Sequence, residues 1–132
     1  LEIEFYLYSS SHPDLITYPR VDKEGGNWFF HQSGVDICFD SNFGEGCFGG
    51  ILIRSLFDEE KHRYITGPLL CANEILNACS SKKVWPRIEQ AEERACEIDT
   101  TTRYGIYDVR LCYFDKKIKE NLKNTFKDAS WD

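Results

Sequence analysis

A carboxylate, a phenol and an imidazole stand close together in Leu1-Glu2-Ile3-Glu4-Phe5-Tyr6-Leu7, followed after Tyr8-Ser9-Ser10-Ser11 by His12. Read with a period of two, Leu1, Ile3, Phe5 and Leu7 share one face of a strand, and Glu2, Glu4, Tyr6 and Tyr8 share the other. Glu4 and Tyr6 are then neighbours. Ser9 to Ser11 end the strand, and His12-Pro13 starts a turn that folds the imidazole back over them. A carboxylate beside two flat rings is suited to activating a water against a stacked planar substrate. The plainer reading is a half-exposed edge strand carrying ordinary surface carboxylates.

The elements that must position these groups follow in order. Thr17 to Gly26 reads as a loop, and Asn27 to His31 as a short aromatic strand. Gly34 breaks or bulges the chain before Val35 to Asp40, which alternates apolar with polar residues. Ser41 to Gly50, with four glycines, is a hairpin-like connection. Gly50 to Phe57 is the most strongly β segment, nearly all apolar, and its single charge, Arg54, needs a partner, an opening onto a site, or a stem long enough to reach the sheet rim. Thr66-Gly67-Pro68 starts a helix with Leu69, Leu70, Ala72, Ile75, Leu76 and Cys79 as its apolar stripe, ended by Ser80-Ser81. A second helix is expected over Trp85 to Ile98, and a break at Thr100 to Thr102. Strands are expected over Arg103 to Tyr107 and Val109 to Phe114, and a basic amphipathic helix over Lys116 to Lys127. The sum is an α+β domain, a curved, mostly antiparallel sheet or partial barrel built from residues 1–8, 27–40, 50–57 and 103–114, with two to three helices packed on it.

At 132 residues, 42% hydrophobic and 14% aromatic, the chain makes one domain, 1–132, with a real core. No run approaches a membrane span and the start carries no signal segment, so a soluble cytoplasmic protein and no membrane partner are expected. The opening in mid-strand without a methionine implies missing N-terminal residues. Cys38, Cys47, Cys71, Cys79, Cys96 and Cys112 form no Cys-x-x-Cys pair and mostly sit in apolar patterns; they read as buried reduced thiols, with no metal site and no cofactor. The net charge of −6 resides in residues 1–50, where eight acids face two bases, Arg20 and Lys23, while the remainder is neutral. That is a poor surface for a phosphate backbone.

With the order of elements in view, the sequence resembles the alkyladenine (3-methyladenine) DNA glycosylase family, the methylpurine-DNA glycosylases. Glu2-Ile3-Glu4-Phe5-Tyr6-Leu7 is similar to the family's Glu-Thr-Glu-Ala-Tyr-Leu, and Asn27 to Asp40 to its aromatic strand, glycine, and strand ending in asparagine. Gly50-Ile51-Leu52-Ile53-Arg54-Ser55-Leu56 looks like its Gly-Val-Leu-Ile-Arg-Ala-Leu. Gly67-Pro68 and the apolar helix resemble its Gly-Pro-x-x-Leu, and Arg103-Tyr104-Gly105-Ile106 its Arg-Ile-Gly-Ile. The ordered matches span nearly the whole chain.

The resemblance implies a monofunctional DNA repair glycosylase that flips a damaged or alkylated purine out of double-stranded DNA and hydrolyses its glycosidic bond. Glu4 would be the general base; Tyr6, His12 and Phe30 would sandwich the base, Asp40 would close the pocket, and Arg54 would lie near the site. Arg20, Lys23, His31 and Ser33 would meet the DNA. No metal, cofactor or covalent lysine is implied, and a monomer is expected. Three departures stand out. Ser33 replaces the tyrosine that wedges into the duplex and does not fill the gap a flipped nucleotide leaves. Phe30 replaces the stacking tyrosine, keeping the π face without the hydroxyl, and Asp40 replaces the asparagine. Two readings therefore remain: a glycosylase, or a fold relative without that chemistry that binds a partner or a free nucleoside-like ligand.

Overall fold

The apolar run that follows the glycine-rich connection becomes the longest strand, and most of the sheet is tied to it. The computed structural model describes residues 2–19, 24–40, 46–93, 95–103 and 111–117, and shows an α+β arrangement of seven strands and one helix among them. In chain order these are β1 (Glu2–Tyr8), β2 (Trp28–His31), β3 (Gly34–Cys38), β4 (Phe48–Asp58), β5 (Arg63–Thr66), α1 (Pro68–Lys82), β6 (Ile98–Thr102) and β7 (Leu111–Asp115). The pairings described are antiparallel, in the order β2-β3-β4-β1-β7-β6, with β5 also paired to β4.

Residues directly opposite one another across an antiparallel pair point to the same side. Glu4 lies opposite Leu52 on β4 and Cys112 on β7, Leu52 opposite Asp36 on β3, and Asp36 opposite Phe29 on β2. This face carries α1: a Cβ placed on Gly34 would come within 2.9 Å of Pro68 Cβ and 3.0 Å of Leu52 Cδ1. On the other face Phe5 meets Phe39 and Tyr113, with ring centroids 5.6 and 5.2 Å away. The alternation read in β1 is therefore present, but the side that is sealed most completely is the polar one. Glu4 is fully buried, whereas Leu7 is exposed.

Local chemistry explains the connections. The β2–β3 hairpin turns over Gln32-Ser33 into Gly34, whose φ of +151° is open chiefly to glycine. At the end of β4, Asp58 Oδ1 accepts the amides of Glu60 and Lys61, both at 3.0 Å, and closes the turn into β5. α1 begins with Gly67 at φ +107° and Pro68 in its first turn, and ends with Lys83 in the left-handed region.

Several expectations are corrected. α1 runs through Ser80-Ser81 to Lys82, and it buries Cys71 and Ala72 while leaving Leu69, Leu70 and Leu76 exposed. The helix expected over Trp85 to Ile98 is not formed in the described residues of that stretch, which are irregular up to β6. With Ile88 and Ile98 exposed and only Ala91 and Ala95 between them, its apolar side buries too little to hold a helix. Thr100 to Thr102 are not a break but part of β6, as β-branched residues favour. β5 was not anticipated. Cys38, Cys71 and Cys112 are buried as expected, but Cys96 is exposed. The strand expected over Arg103 to Tyr107 and the helix over Lys116 to Lys127 fall largely outside the described residues. No helix among those described is long and apolar enough to cross a membrane.

Gly34→Ala should lower stability by about 1–3 kcal/mol, because a Cβ there combines a disfavoured φ with overpacking against Pro68 and Leu52. Thermal unfolding followed by circular dichroism measures it, and an unchanged midpoint would contradict the close approach.

Candidate functional site

β1 is flanked on both sides, by β4 and β7, so a side chain at its centre has no route to the sheet edge. Glu4 occupies that centre and is 0% exposed. Both of its oxygens are engaged: Tyr6 donates its hydroxyl to Oε1 at 2.9 Å, and Arg54 Nη1 donates to Oε2 at 2.6 Å. The pairing of β1 with β4 shifts by one residue between Glu2 and Ile3, which stand opposite Ser55 and Ile53. Arg54 is the extra residue of this bulge. Its Nε lies 3.5 Å from Glu2 Oε1 while its Nη1 holds Glu4, so one guanidinium bridges both carboxylates. Glu2 also accepts the Cys112 thiol at 3.3 Å.

Tyr6 stands opposite Gly50, which offers no side chain. The Arg103 guanidinium lies 4.6 Å from the Tyr6 ring centroid, a cation–π contact. Arg103 Nη1 donates to the Phe5 carbonyl at 3.2 Å, and Nη2 lies 2.9 Å from Asp14 Oδ2. Both charged side chains are essentially sealed, at 0% and 2% exposure. Asp14 Oδ1 accepts the Ile16 amide at 3.1 Å. A polar chain therefore runs from Cys112 through Glu2, Arg54, Glu4, Tyr6 and Arg103 to Asp14.

Its protonation states follow from these contacts. Burial, and after it the Glu4 charge and hydrogen bond, push the Tyr6 phenol upward, so it stays a donor. Burial works to lower Arg54, but the hydrogen bond and charge of Glu4, joined by Glu2, outweigh it and raise it. Burial and the Glu2 charge push the Cys112 thiol up to about 12, which keeps it protonated. Burial alone would raise Asp14; the Thr17 hydroxyl, the Ile16 amide and Arg103 together bring it below the usual carboxylate value.

Of the residues singled out from sequence, Glu4, Tyr6 and Arg54 come together. Glu4 is not the half-exposed position expected, because β7 covers the edge that β1 would otherwise present. His12 pairs its backbone with Ser9, N to O at 3.1 Å in both directions, and Asp14 of the same loop joins the cluster through Arg103. Phe30 stands opposite Val35 and so points away from the Glu4 face; Phe29 is the aromatic in the Glu4 row. The assignment of Phe30 to a common pocket with Glu4 fails on this parity. Asp40 is exposed beyond β3, close behind Gly25. His31 shares the Glu4 face: Nδ1 accepts the Ser33 amide at 3.2 Å, so Nε2 carries the proton toward Asp36 Oδ1, 3.3 Å away. Ser33 sits at the hairpin tip, its Oγ 3.2 Å from the Tyr18 hydroxyl. Arg20 and Lys23 lie outside the described residues.

Asp14, Arg103, Glu2 and Cys112 carry no role in the site expected from sequence. Arg103 had a signal, an arginine at the end of a threonine-rich run in one of the matching motifs, but nothing local tells that it meets residues ~90 positions away. Among the described residues no three His, Cys, Asp or Glu gather to hold a metal ion. Compared with family models, curated proteins and solved structures, the chain matches none.

The Asp14–Arg103 pair sets an acid limit on stability. With the folded-state carboxyl depressed, its contribution is complete above the unfolded value of about 3.9 and is lost as pH falls through the lower folded one. Asp14→Asn leaves Arg103 buried without a counter-charge and should cost about 3–5 kcal/mol at neutral pH. It should also flatten the decline of stability on the acid side. Denaturant melts at stepwise lower pH read both effects, and parallel curves for the two proteins would show that the pair contributes nothing.

Proposed function

We propose that this chain hydrolyses the N-glycosidic bond of a modified purine nucleoside unit, in a fold related to that of the methylpurine-DNA glycosylases, with Glu4 as the acting carboxylate. The observation that carries the reading is the immobilised Glu4: the positions that the family resemblance makes functional on β1 and β4, Glu4, Tyr6 and Arg54, meet within hydrogen-bond distance. Cleavage of such a bond passes through an oxocarbenium-like state. A carboxylate held in place before the reaction stabilises that charge without reorganisation.

In the described arrangement Glu4 is closed to water. Each carboxylate oxygen accepts more than one hydrogen bond, and Arg54, whose side chain is 25% exposed, is the member of the cluster able to withdraw. When it shifts toward Glu2, Oε2 becomes free to take a proton from water. The water oxygen bonds to the anomeric carbon, the carbon–nitrogen bond breaks, and its electron pair leaves with the base. An alkylated, positively charged base departs neutral. Tyr6 keeps Oε1 occupied, so the proton is directed to Oε2.

A second reading, a relative that binds a partner or a free nucleoside-like ligand and not duplex DNA, is favoured by the charge arrangement. Of the nine described lysine and arginine side chains, seven (Arg54, Lys61, Arg63, Lys82, Arg87, Arg103 and Lys116) pair with an acid, which leaves Lys83 and Lys117. A phosphate track needs cations not already neutralised. Arg20, Lys23, Arg94, Arg110 and the lysines beyond residue 117 lie outside the described residues.

Release of modified purine should be measured from alkylated duplex DNA and from the corresponding free nucleosides. Glu4→Gln should lower it by at least about 100-fold, the usual loss of general-base assistance. Since Glu4 is buried against Arg54, the variant is compared at a temperature where circular dichroism shows it folded. Activity on DNA should fall steeply with salt and activity on nucleosides should not. A wild-type chain inert on both substrates, or full activity in Glu4→Gln, sinks the glycosidase and leaves the binding reading.

A further inference from the structure

α1 is 15 residues long, yet the sheet uses little of it: Cys71 and Ala72 are its buried residues. Small side chains bring the helix axis close to β3 and β4, and the leucines are left on the far side. Leu69, Leu70 and Leu76 are 51, 60 and 45% exposed. At 100° per residue they form one outward stripe with Asn73, Asn77 and Ser80, all exposed. Two residues past the Lys83 cap, Trp85 is 88% exposed, and tryptophan is among the residue types most enriched at the centres of interfaces.

The charge pattern says what fits this stripe. The chain carries −6, but the stripe carries no ionisable side chain. The ionisable groups of α1 besides its cysteines, Glu74 and Lys82, are turned to the flanks, where Lys61 and Arg63 hold Glu74 and Glu60 holds Lys82. A surface that binds its own copy about a twofold axis must be complementary to itself. A stripe with charge of one sign fails that condition; an uncharged one meets it. Asn73 and Asn77 supply amides that are both donor and acceptor, so a symmetry mate satisfies them. Two such helices packed antiparallel also oppose their dipoles. A membrane surface is a poorer occupant, since a lipid-binding helix flanks its apolar face with several free lysines and arginines, whereas here Lys61, Arg63 and Lys82 are held by acids and Lys83 alone remains at the cap.

We propose that the outer face of α1 is a self-complementary interface on which a second copy of this chain docks, with α1 packed antiparallel against its symmetry mate. The protein is then a dimer, against the monomer expected from sequence. The Glu4 cluster is built by β1, β4 and their neighbours and takes no residue from the outer stripe of α1, so the dimer does not depend on the reaction.

Sedimentation velocity of the 132-residue chain over about 1 to 100 μM, a range that brackets micromolar affinities, tests it. The starting protein should sediment as a dimer that dissociates on dilution. Leu70→Glu and Leu76→Glu each bring like charges together across the axis and should raise the dissociation constant about 100-fold or more, with unchanged circular dichroism. Asn73→Lys, at a position already polar and exposed, should do the same and spares the packing of the helix. Thr100→Pro, on the edge strand β6, where the Thr100 amide bonds to Asp99 Oδ1 at 2.8 Å, should leave the dimer intact. A monomer throughout the range overturns the proposal. So does a dimer that survives all three α1 substitutions, or one that Thr100→Pro disperses and they do not.

Discussion

Removing a carboxylate from water is among the most expensive steps in folding unless charge and hydrogen bonds replace the lost solvent, and Glu4 meets that requirement with a guanidinium on one oxygen and a phenol on the other. The rest of the sheet is arranged to keep both partners there. β4 must run beside β1 to bring Arg54, and β7 must lie on the other side to close the edge. The magnitudes separate this pair from the surface ones. Breaking a buried pair by removing one partner costs about 3–5 kcal/mol, whereas an exposed pair such as Arg87–Glu89 is worth about 0.2–1 kcal/mol.

The one-residue shift between β1 and β4 is what lets a single arginine serve two carboxylates. In an unbroken ladder, side chains on one face repeat at every second residue and each meets a single directly opposite neighbour. The bulge adds Arg54 without a partner of its own, and its head spans the interval from Glu2 to Glu4. A one-residue deletion at this point would flip the face of everything that follows on β4. Asp36 with His31, one strand further out, repeats the theme of a buried carboxylate held by a ring or a cation.

The extent to which this was legible differs from element to element. β1, β2, β3 and β4 were readable because period-two alternation, aromatic and β-branched residues and the glycine at position 34 act locally. The proximity of Glu4 and Tyr6 followed from parity alone. Phe30 owes its expected role to its place in a motif, and only the register with Val35 shows that it faces away. The burial of Glu4 was hidden because no local pattern tells which face of a sheet is sealed when charges neutralise one another. Arg103 and Asp14 were hidden for the same reason. α1 was legible as a helix but not in the direction it faces, because cysteine and alanine at the contact outcompeted larger leucines by allowing a closer approach. The proposed likeness to the methylpurine-DNA glycosylases rests on short motifs.

The order β4-β1-β7 has a kinetic consequence. β1 precedes both of its partners in the chain, and its pairings join Glu4 to Leu52 and to Cys112, so the centre of the sheet closes only across long loops. Contacts of such high sequence separation require chain entropy to be surrendered before they return any stability. During synthesis, β1 waits with one side unpaired until β7 has emerged. Until then the strand keeps an unpaired edge, the feature that charged side chains on edge strands generally protect.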